Sequence, residues 1–172
     1  EKVFPHIKES ANVLAALHSK GISALDDRLR GMQDVLAAKK LRWETVVTGT
    51  DPDKAARIIA SMLRRDVRTD AILCTGLADT QGSGMAVASE CVYSKPFVAG
   101  FDLSPKILEL IQQGILTYTV DQQPYIQGFY PVIQLALLIR YGIRPSDIDA
   151  GAAMIGQKDV ETVIKANLCG YR

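Results

Sequence analysis

The sequence predicts an α/β fold, a mostly parallel sheet covered by helices on both faces. Three observations carry this. Short apolar runs and amphipathic helical stretches alternate at the lengths of βα units. Some of the short runs, such as Ala71-Ile-Leu-Cys74, are apolar throughout, the pattern of strands buried on both faces. The runs also end in small, polar loops that lead into helix starts, as in Phe97-Val-Ala-Gly-Phe-Asp-Leu-Ser-Pro105. At 172 residues the chain can bury one real core, and a second domain would be a squeeze.

Residues 7–20 read as a helix, with Ile7, Ala11, Leu14, Leu17 and His18 on one face and Gly21 as its stop. A second helix over residues 28–40 follows Asp26-Asp27 and turns Leu29, Met32, Val35 and Leu36 inward. Only a short stretch separates the two, where an α/β chain is expected to place a strand. Residues 43–48, rich in aromatic and β-branched side chains, predict a strand closed by Gly49. Asp51 can cap the next helix, Pro52 takes its first position, and Ala55, Ile58, Ile59, Met62 and Leu63 supply its buried stripe. Residues 71–74 form a short strand, 75–84 a loop of small and polar residues, and 85–93 a helix that Lys95-Pro96 breaks.

The run from Phe97 ends as a strand at Asp102, and Ser104-Pro105 starts a helix with Ile107, Leu108, Leu110 and Ile111 inward, stopped by Gly114. Residues 116–120 are the next strand, with Asp121-Gln122-Gln123-Pro124 as its exit. Residues 125–141 make the longest and most apolar helix, closed by Gly142. The tail holds a turn at Pro145-Ser146-Asp147, a short strand around 152–155 and a last helix near 160–166. No repeat, low-complexity tract or linker interrupts this order.

A net charge of +1, with no run of like charges, gives no field to attract nucleic acid or an anionic membrane. The three cysteines are too widely spaced for a zinc knuckle or a Cys-x-x-Cys pair. Cys74 reads as a small buried hydrophobe, and Cys91 and Cys169 can pair only if the fold brings them together. No apolar segment reaches membrane-spanning length and no leader pattern opens the chain at Glu1, so the sequence suits a cytoplasmic protein or one whose signal peptide has been removed.

In a parallel sheet the C-terminal strand ends share one edge, so the exit loops 49–53, 75–84, 100–105 and 120–127 converge there. They carry Asp79, Thr80, Gln81, Asp102, Ser104, Asp121, Gln122, Gln123 and Tyr125, rich in carboxylate and amide groups. Such planar acceptors and donors on rigid strand ends suit a neutral polyol, each holding one or two hydroxyls. His6 and His18 fall in or before the first predicted helix and on no strand exit, which leaves no Ser-His or Cys-His couple to propose. Gly82-Ser-Gly84 lacks the third glycine of a dinucleotide fingerprint, and no Gly-Lys-Ser/Thr follows. Arg28, beside Asp26 and Asp27, reads as a helix-start residue in a local ion pair; it joins the row only if that helix start faces the same edge.

Two motifs, Val98-Ala-Gly-Phe-Asp-Leu-Ser-Pro105 and Tyr118-Thr-Val-Asp-Gln-Gln-Pro-Tyr-Ile-Gln-Gly128, resemble the C-terminal lobe of type I periplasmic binding proteins of ribose-, galactose- and xylose-type sugar ABC transporters. The Asp70-Ala-Ile strand start and the continuation Pro131-Val-Ile-Gln-Leu to Arg140-Tyr-Gly-Ile are similar to the same group, and the likeness covers most of the chain from about Asp26. It implies a Rossmann-like lobe over residues 26–123, a long helix and hinge region over 124–172, and a truncated N-terminal segment over 1–25. It also implies that Asp102, Gln122, Arg28 and Asp79 hold the sugar, with no catalytic residue, metal or cofactor.

Further implications are a permease partner, a periplasmic or lipid-anchored extracytoplasmic location, and a long helix that packs on a second lobe. Uncovered, that helix would promote self-association. Measured against the family, two parts are expected to be missing: almost all of the first lobe, and the strand and polar loop that should precede Arg28. The effector domain of a LacI-type repressor shares the fold and is the alternative; a small α/β enzyme acting on a sugar through Asp79 and Asp102 is the second.

Overall fold

The computed structural model describes residues 4–65, 68–90, 95–151 and 153–170. One six-stranded sheet runs through the molecule. Its strands are β1 (Asn12–Leu17), β2 (Arg42–Val47), β3 (Thr69–Cys74), β4 (Phe97–Phe101), β5 (Tyr118–Asp121) and β6 (Ala153–Gly156), in the order β2-β1-β3-β4-β5-β6. All neighbours are parallel except β5 and β6. The helices are α1 (Ser23–Ala38), α2 (Pro52–Arg65), α3 (Leu77–Ser89), α4 (Pro105–Gln112), α5 (Pro124–Tyr141) and α6 (Val160–Leu168).

The expected helix over residues 7–20 is instead strand β1, at the centre of the parallel part between β2 and β3. Its sequence, Asn-Val-Leu-Ala-Ala-Leu, is apolar throughout after Asn12, and a continuous apolar run satisfies helical and strand spacing alike. Burial on both faces decides between them, overriding the helix preference of Ala and Leu. The strand expected before Arg28 is therefore present, and His18 to Ile22 form its exit loop.

The loop expected over residues 75–84 is mostly helix, because α3 starts at Leu77. Its small residues mark close packing: a methyl group on Gly82 would stand 2.6 Å from Ala55 Cβ and 2.9 Å from the Pro52 carbonyl oxygen on α2. Residues 91–93, the end of the helix expected over 85–93, lie outside the described residues, as does Cys91, so its pairing with Cys169 does too. Cys169 is exposed and Cys74 buried, and neither forms a disulfide among the described residues.

The larger core lies on the face covered by α2, α3, α4 and α6, where Ile59, Ile72, Val98, Ile107, Ile111 and Val163 are sealed from solvent. The opposite face packs Val13, Ala71, Leu73 and Ala99 against Leu36 of α1. Tyr118 belongs to this side, its ring edge-on to Phe97 with centroids 5.5 Å apart. Its hydroxyl is buried without a hydrogen-bond partner among the described residues, and burial pushes its pKa up from 10.0 to about 12.

The unfolded phenol gives up its proton near pH 10 and the folded one near 12. The stability tied to the neutral ring is therefore full below pH 10 and is lost as pH rises towards and through 12. In an absorbance titration one tyrosine should ionise late, with a urea midpoint that falls across the same window. Ordinary titration of every tyrosine would contradict this.

Helix α5 differs from the others: none of its residues is buried, although it is apolar nearly all round. Val132, Leu135, Ile139 and Tyr141 face solvent. No helix among the described residues is long and apolar enough to cross a membrane.

Candidate functional site

The C-terminal strand ends bring four exits to one edge: His18 after β1, Thr75 after β3, Asp102 after β4 and Gln122 after β5. The strand order reverses direction between β1 and β3, the point where open α/β sheets form a ligand crevice. Helix α1 starts beside that point, so Arg28, in its second turn, reaches over the edge. The arginine does join the row, and the local ion pair forms one turn-neighbour away, between Arg30 and Asp27.

Arg28 Nη1 donates to the Thr75 carbonyl at 2.8 Å and Nη2 donates to Gln122 Oε1 at 2.5 Å. Its guanidinium carbon sits 4.1 Å over the Phe101 ring, which shields the plane from one side and adds cation–π attraction. Gln122 Nε2 in turn donates to Asp102 Oδ1. Three of the four sequence-derived candidates, Arg28, Gln122 and Asp102, thus form one hydrogen-bonded chain across three strands.

Asp102 has a left-handed backbone, φ 72°, a region that aspartate tolerates better than most side chains. Two bonds hold it there: its N–H donates to the Val120 carbonyl at 2.9 Å, and Thr119 Oγ1 donates to its carbonyl at 2.7 Å. The turn tips the carboxylate out of the strand line, towards a cleft of about 420 Å³ lined by Leu77, Leu103, Gln122 and Asn167 among others. With Oδ1 engaged by Gln122, Oδ2 remains as an acceptor, while Arg28 keeps unspent N–H donors. Fixed acceptors and donors in one half-buried row suit vicinal hydroxyls.

Asp79, the fourth candidate, is placed differently. Its side chain is fully buried at the third position of α3, where it accepts from the Thr75 N–H at 2.7 Å, Thr75 Oγ1 at 3.0 Å, the Gly76 N–H at 2.9 Å and the Thr80 N–H at 3.1 Å. Burial pushes its carboxyl pKa up, and these donors, with His18 nearby, pull against that rise. The carboxylate closes the start of α3 and fixes Thr75, whose carbonyl anchors Arg28. It is not presented to the cleft in this structure.

Three neighbours of the row, His18, Thr75 and Phe101, were not singled out by the sequence reading. Reading β1 as a strand would have put His18 on an exit, contrary to the expectation that neither histidine lies on one. A second cleft, of about 380 Å³, sits at the opposite edge among Asn12, Arg42, Trp43 and Thr69, remote from this row. Among the described residues no group of three or more histidine, cysteine, aspartate or glutamate side chains is placed to hold a metal ion.

Comparison with known proteins agrees with this architecture. Residues 1–142 match the periplasmic binding protein domain family. The xylose/arabinose-binding protein XylF of Sulfolobus acidocaldarius is 24% identical over 97% of this chain and 43% of its own length. A carbohydrate transporter from Acidothermus cellulolyticus, solved in complex with myo-inositol, superposes with TM-score 0.78 at 26% identity, over 94% of this chain and 56% of that one. A periplasmic ribose ABC transporter from Conexibacter woesei shares the fold with TM-score 0.83 at 20% identity, over 95% of this chain and 56% of that one. The chain thus spans about half the length of the relatives it matches.

Proposed function

As this chain belongs to the periplasmic binding protein family, we propose that it captures a small neutral sugar or polyol reversibly, as one lobe of a two-lobed solute-binding protein that delivers to an ABC transporter permease. The observation that carries this reading is the chain Thr75–Arg28–Gln122–Asp102, in which an arginine from α1 joins three neighbouring strand exits. It presents donors and acceptors to hydroxyl groups and contains no nucleophile activated by a base. Relatives described as xylose/arabinose-binding, or solved with myo-inositol, supply the ligand class.

The sheet, with Arg28, Asp102 and Gln122 on its edge, would be the sugar-binding lobe, and the stretch from Pro124 onward would carry the hinge. Asp79 would act from behind, by holding Thr75 and so Arg28. The protein would work outside the cytoplasm, in the periplasm or tethered there by a lipid anchor.

Half a cleft leaves half the ligand in water, so capture depends on closure by the other lobe. Calorimetry with xylose, arabinose, ribose, glucose and myo-inositol is expected to give a dissociation constant of about 1 μM for one of them in the protein as encoded, and millimolar or weaker for residues 1–172 alone. Absence of binding by the protein as encoded across the panel would overturn the reading.

The apolar surface of α5 would be covered by the second lobe. Residues 1–172 alone should therefore self-associate through it. Size-exclusion chromatography with light scattering should show dimers or larger species that Leu135→Glu with Ile139→Glu disperses; a clean monomer at high concentration would count against this role for α5.

A further inference from the structure

His18 is the first residue beyond β1, and its backbone N–H donates to Thr75 Oγ1 at 3.0 Å. Thr75, whose carbonyl accepts from Arg28, links it to the row, on the side away from Gln122. Its ring is held. Nδ1 accepts the Ala78 N–H at 3.3 Å and lies 3.9 Å from Asp79 Oδ1. Against the ring is Gly76, where an added Cβ would stand 3.2 Å from His18 Cβ, Cγ and Nδ1. The imidazole thus packs closely against the backbone at residue 76, where a side chain would press on the ring.

Two consequences follow. A neutral ring whose Nδ1 accepts a hydrogen bond carries its proton on Nε2, as a donor. The side chain is 19% exposed, and among the described residues Nε2 has no protein partner and is not sealed from solvent. A rigid N–H donor therefore stands open at the same strand-exit edge as the row. Neighbouring strands lie about 4.8 Å apart, so from β1 to β4 is about 10 Å. That distance suits a pyranose or cyclitol with a hydrogen bond at each end.

We infer that His18 is a further ligand-binding residue of this site, its Nε2–H donating to one hydroxyl at the end of the sugar opposite Asp102. The inference rests on the sugar-capture reading. It adds an endpoint: Asp102 and Gln122 grip one side of the ring, Arg28 the middle and His18 the far hydroxyl. Specificity then depends on the orientation of that hydroxyl, because a fixed donor rewards one epimer and leaves the other unpaired.

Long-range proton–nitrogen NMR of the imidazole tests the premise without any variant: the Nε2–H tautomer is expected, and an Nδ1–H tautomer would overturn the inference. Calorimetry on the protein as encoded then uses the tightest sugar of the panel and its monodeoxy analogues. His18→Ala should weaken the parent sugar about tenfold, and His18→Gln, which keeps an amide donor, should stay within about threefold of the unaltered protein. One deoxy analogue should bind the unaltered protein about tenfold more weakly than the parent sugar does, yet bind His18→Ala as well as the parent.

A uniform loss across all analogues would mean that His18 only braces α3, and would overturn the inference. So would His18→Ala binding every ligand like the unaltered protein while Asp102→Ala abolishes binding; sugar capture would then stand and His18 alone would fall. No binding by the unaltered protein would remove both.

Discussion

Asp102→Ala is expected to weaken sugar binding by the protein as encoded at least about a hundredfold, near 3 kcal/mol. The size follows from what the carboxylate holds. Oδ1 accepts from Gln122 Nε2, Gln122 Oε1 accepts from Arg28, and Oδ2 is the acceptor left for a hydroxyl. Truncation removes the ligand's acceptor and also strands the Gln122 Nε2 donor, loosening the glutamine whose Oε1 holds Arg28 in a half-buried row.

Its backbone need not move, because Asp102 N–H to Val120 and Thr119 Oγ1 to the Asp102 carbonyl do not involve the carboxylate. Alanine at φ 72° carries a stability cost of about 1 kcal/mol, which thermal melting would register separately from affinity. Asp102→Asn tolerates the left-handed turn and keeps the Oδ1 acceptor, so its affinity should fall between the two. Calorimetric affinity of Asp102→Ala within threefold of the unaltered protein would remove Asp102 from the site.

Most of the fold could be read from the chain because β2 to β5 and the helices α2, α4 and α5 have clear borders. Pro52 and the Ser104-Pro105 start set the first turns of α2 and α4, and Gly114 and Gly142 stop helices with positive φ. What could not be read shares one physical cause, the absence of a local signal. Ala11 to Leu17 is apolar at every position but Asn12, and only its two neighbouring strands and the layers above and below make it β1. Gly82-Ser-Gly84 reads locally as a turn, and only the nearness of α2 to Gly82 and of Leu110 and Leu116 to Gly84 shows why a helix needs glycine at those two positions.

The same limit applies to the site. The edge positions of Asp102 and Gln122 were legible because each directly follows a strand, so strand geometry alone puts them there. Arg28 follows no strand; it depends on α1 rising beside the β1 exit and on the length of its side chain to reach Thr75 and Gln122. Asp79 misled for a related reason. A loop over residues 75–84 would leave its carboxylate open to the cleft, whereas at the third position of a helix the nearest donors are the orphan backbone N–H groups of that helix's start. The exit position of His18 depends on β1 and was hidden with it.

Gly100→Ala is expected to destabilise the protein by about 3 kcal/mol, although Gly100 lies in an extended strand and needs no special backbone angle. A methyl there would stand 2.8 Å from Thr80 Cβ and Cγ2, and closer still to Oγ1. Thr80 cannot step aside cheaply. It is fully buried, its Oγ1 donates to the Gly76 carbonyl at 2.5 Å and accepts the Phe101 N–H at 3.0 Å, and its own N–H is bound to Asp79. Either the methyl is overpacked, at about 1–3 kcal/mol, or Thr80 swings out and gives up its bond to the Phe101 N–H, at a similar cost.

Helix α3 would be pushed off β4 at the point from which Asp102 projects, so sugar affinity should fall together with stability. Gly31→Ala gives the contrast: within α1, with open space where the methyl would go, it should stabilise by about 0.5–1 kcal/mol. Urea denaturation of both variants measures the difference. A Gly100→Ala protein within 1 kcal/mol of the unaltered one would mean that α3 and β4 are not locked through Thr80, and that the placement of Asp102 does not depend on that lock.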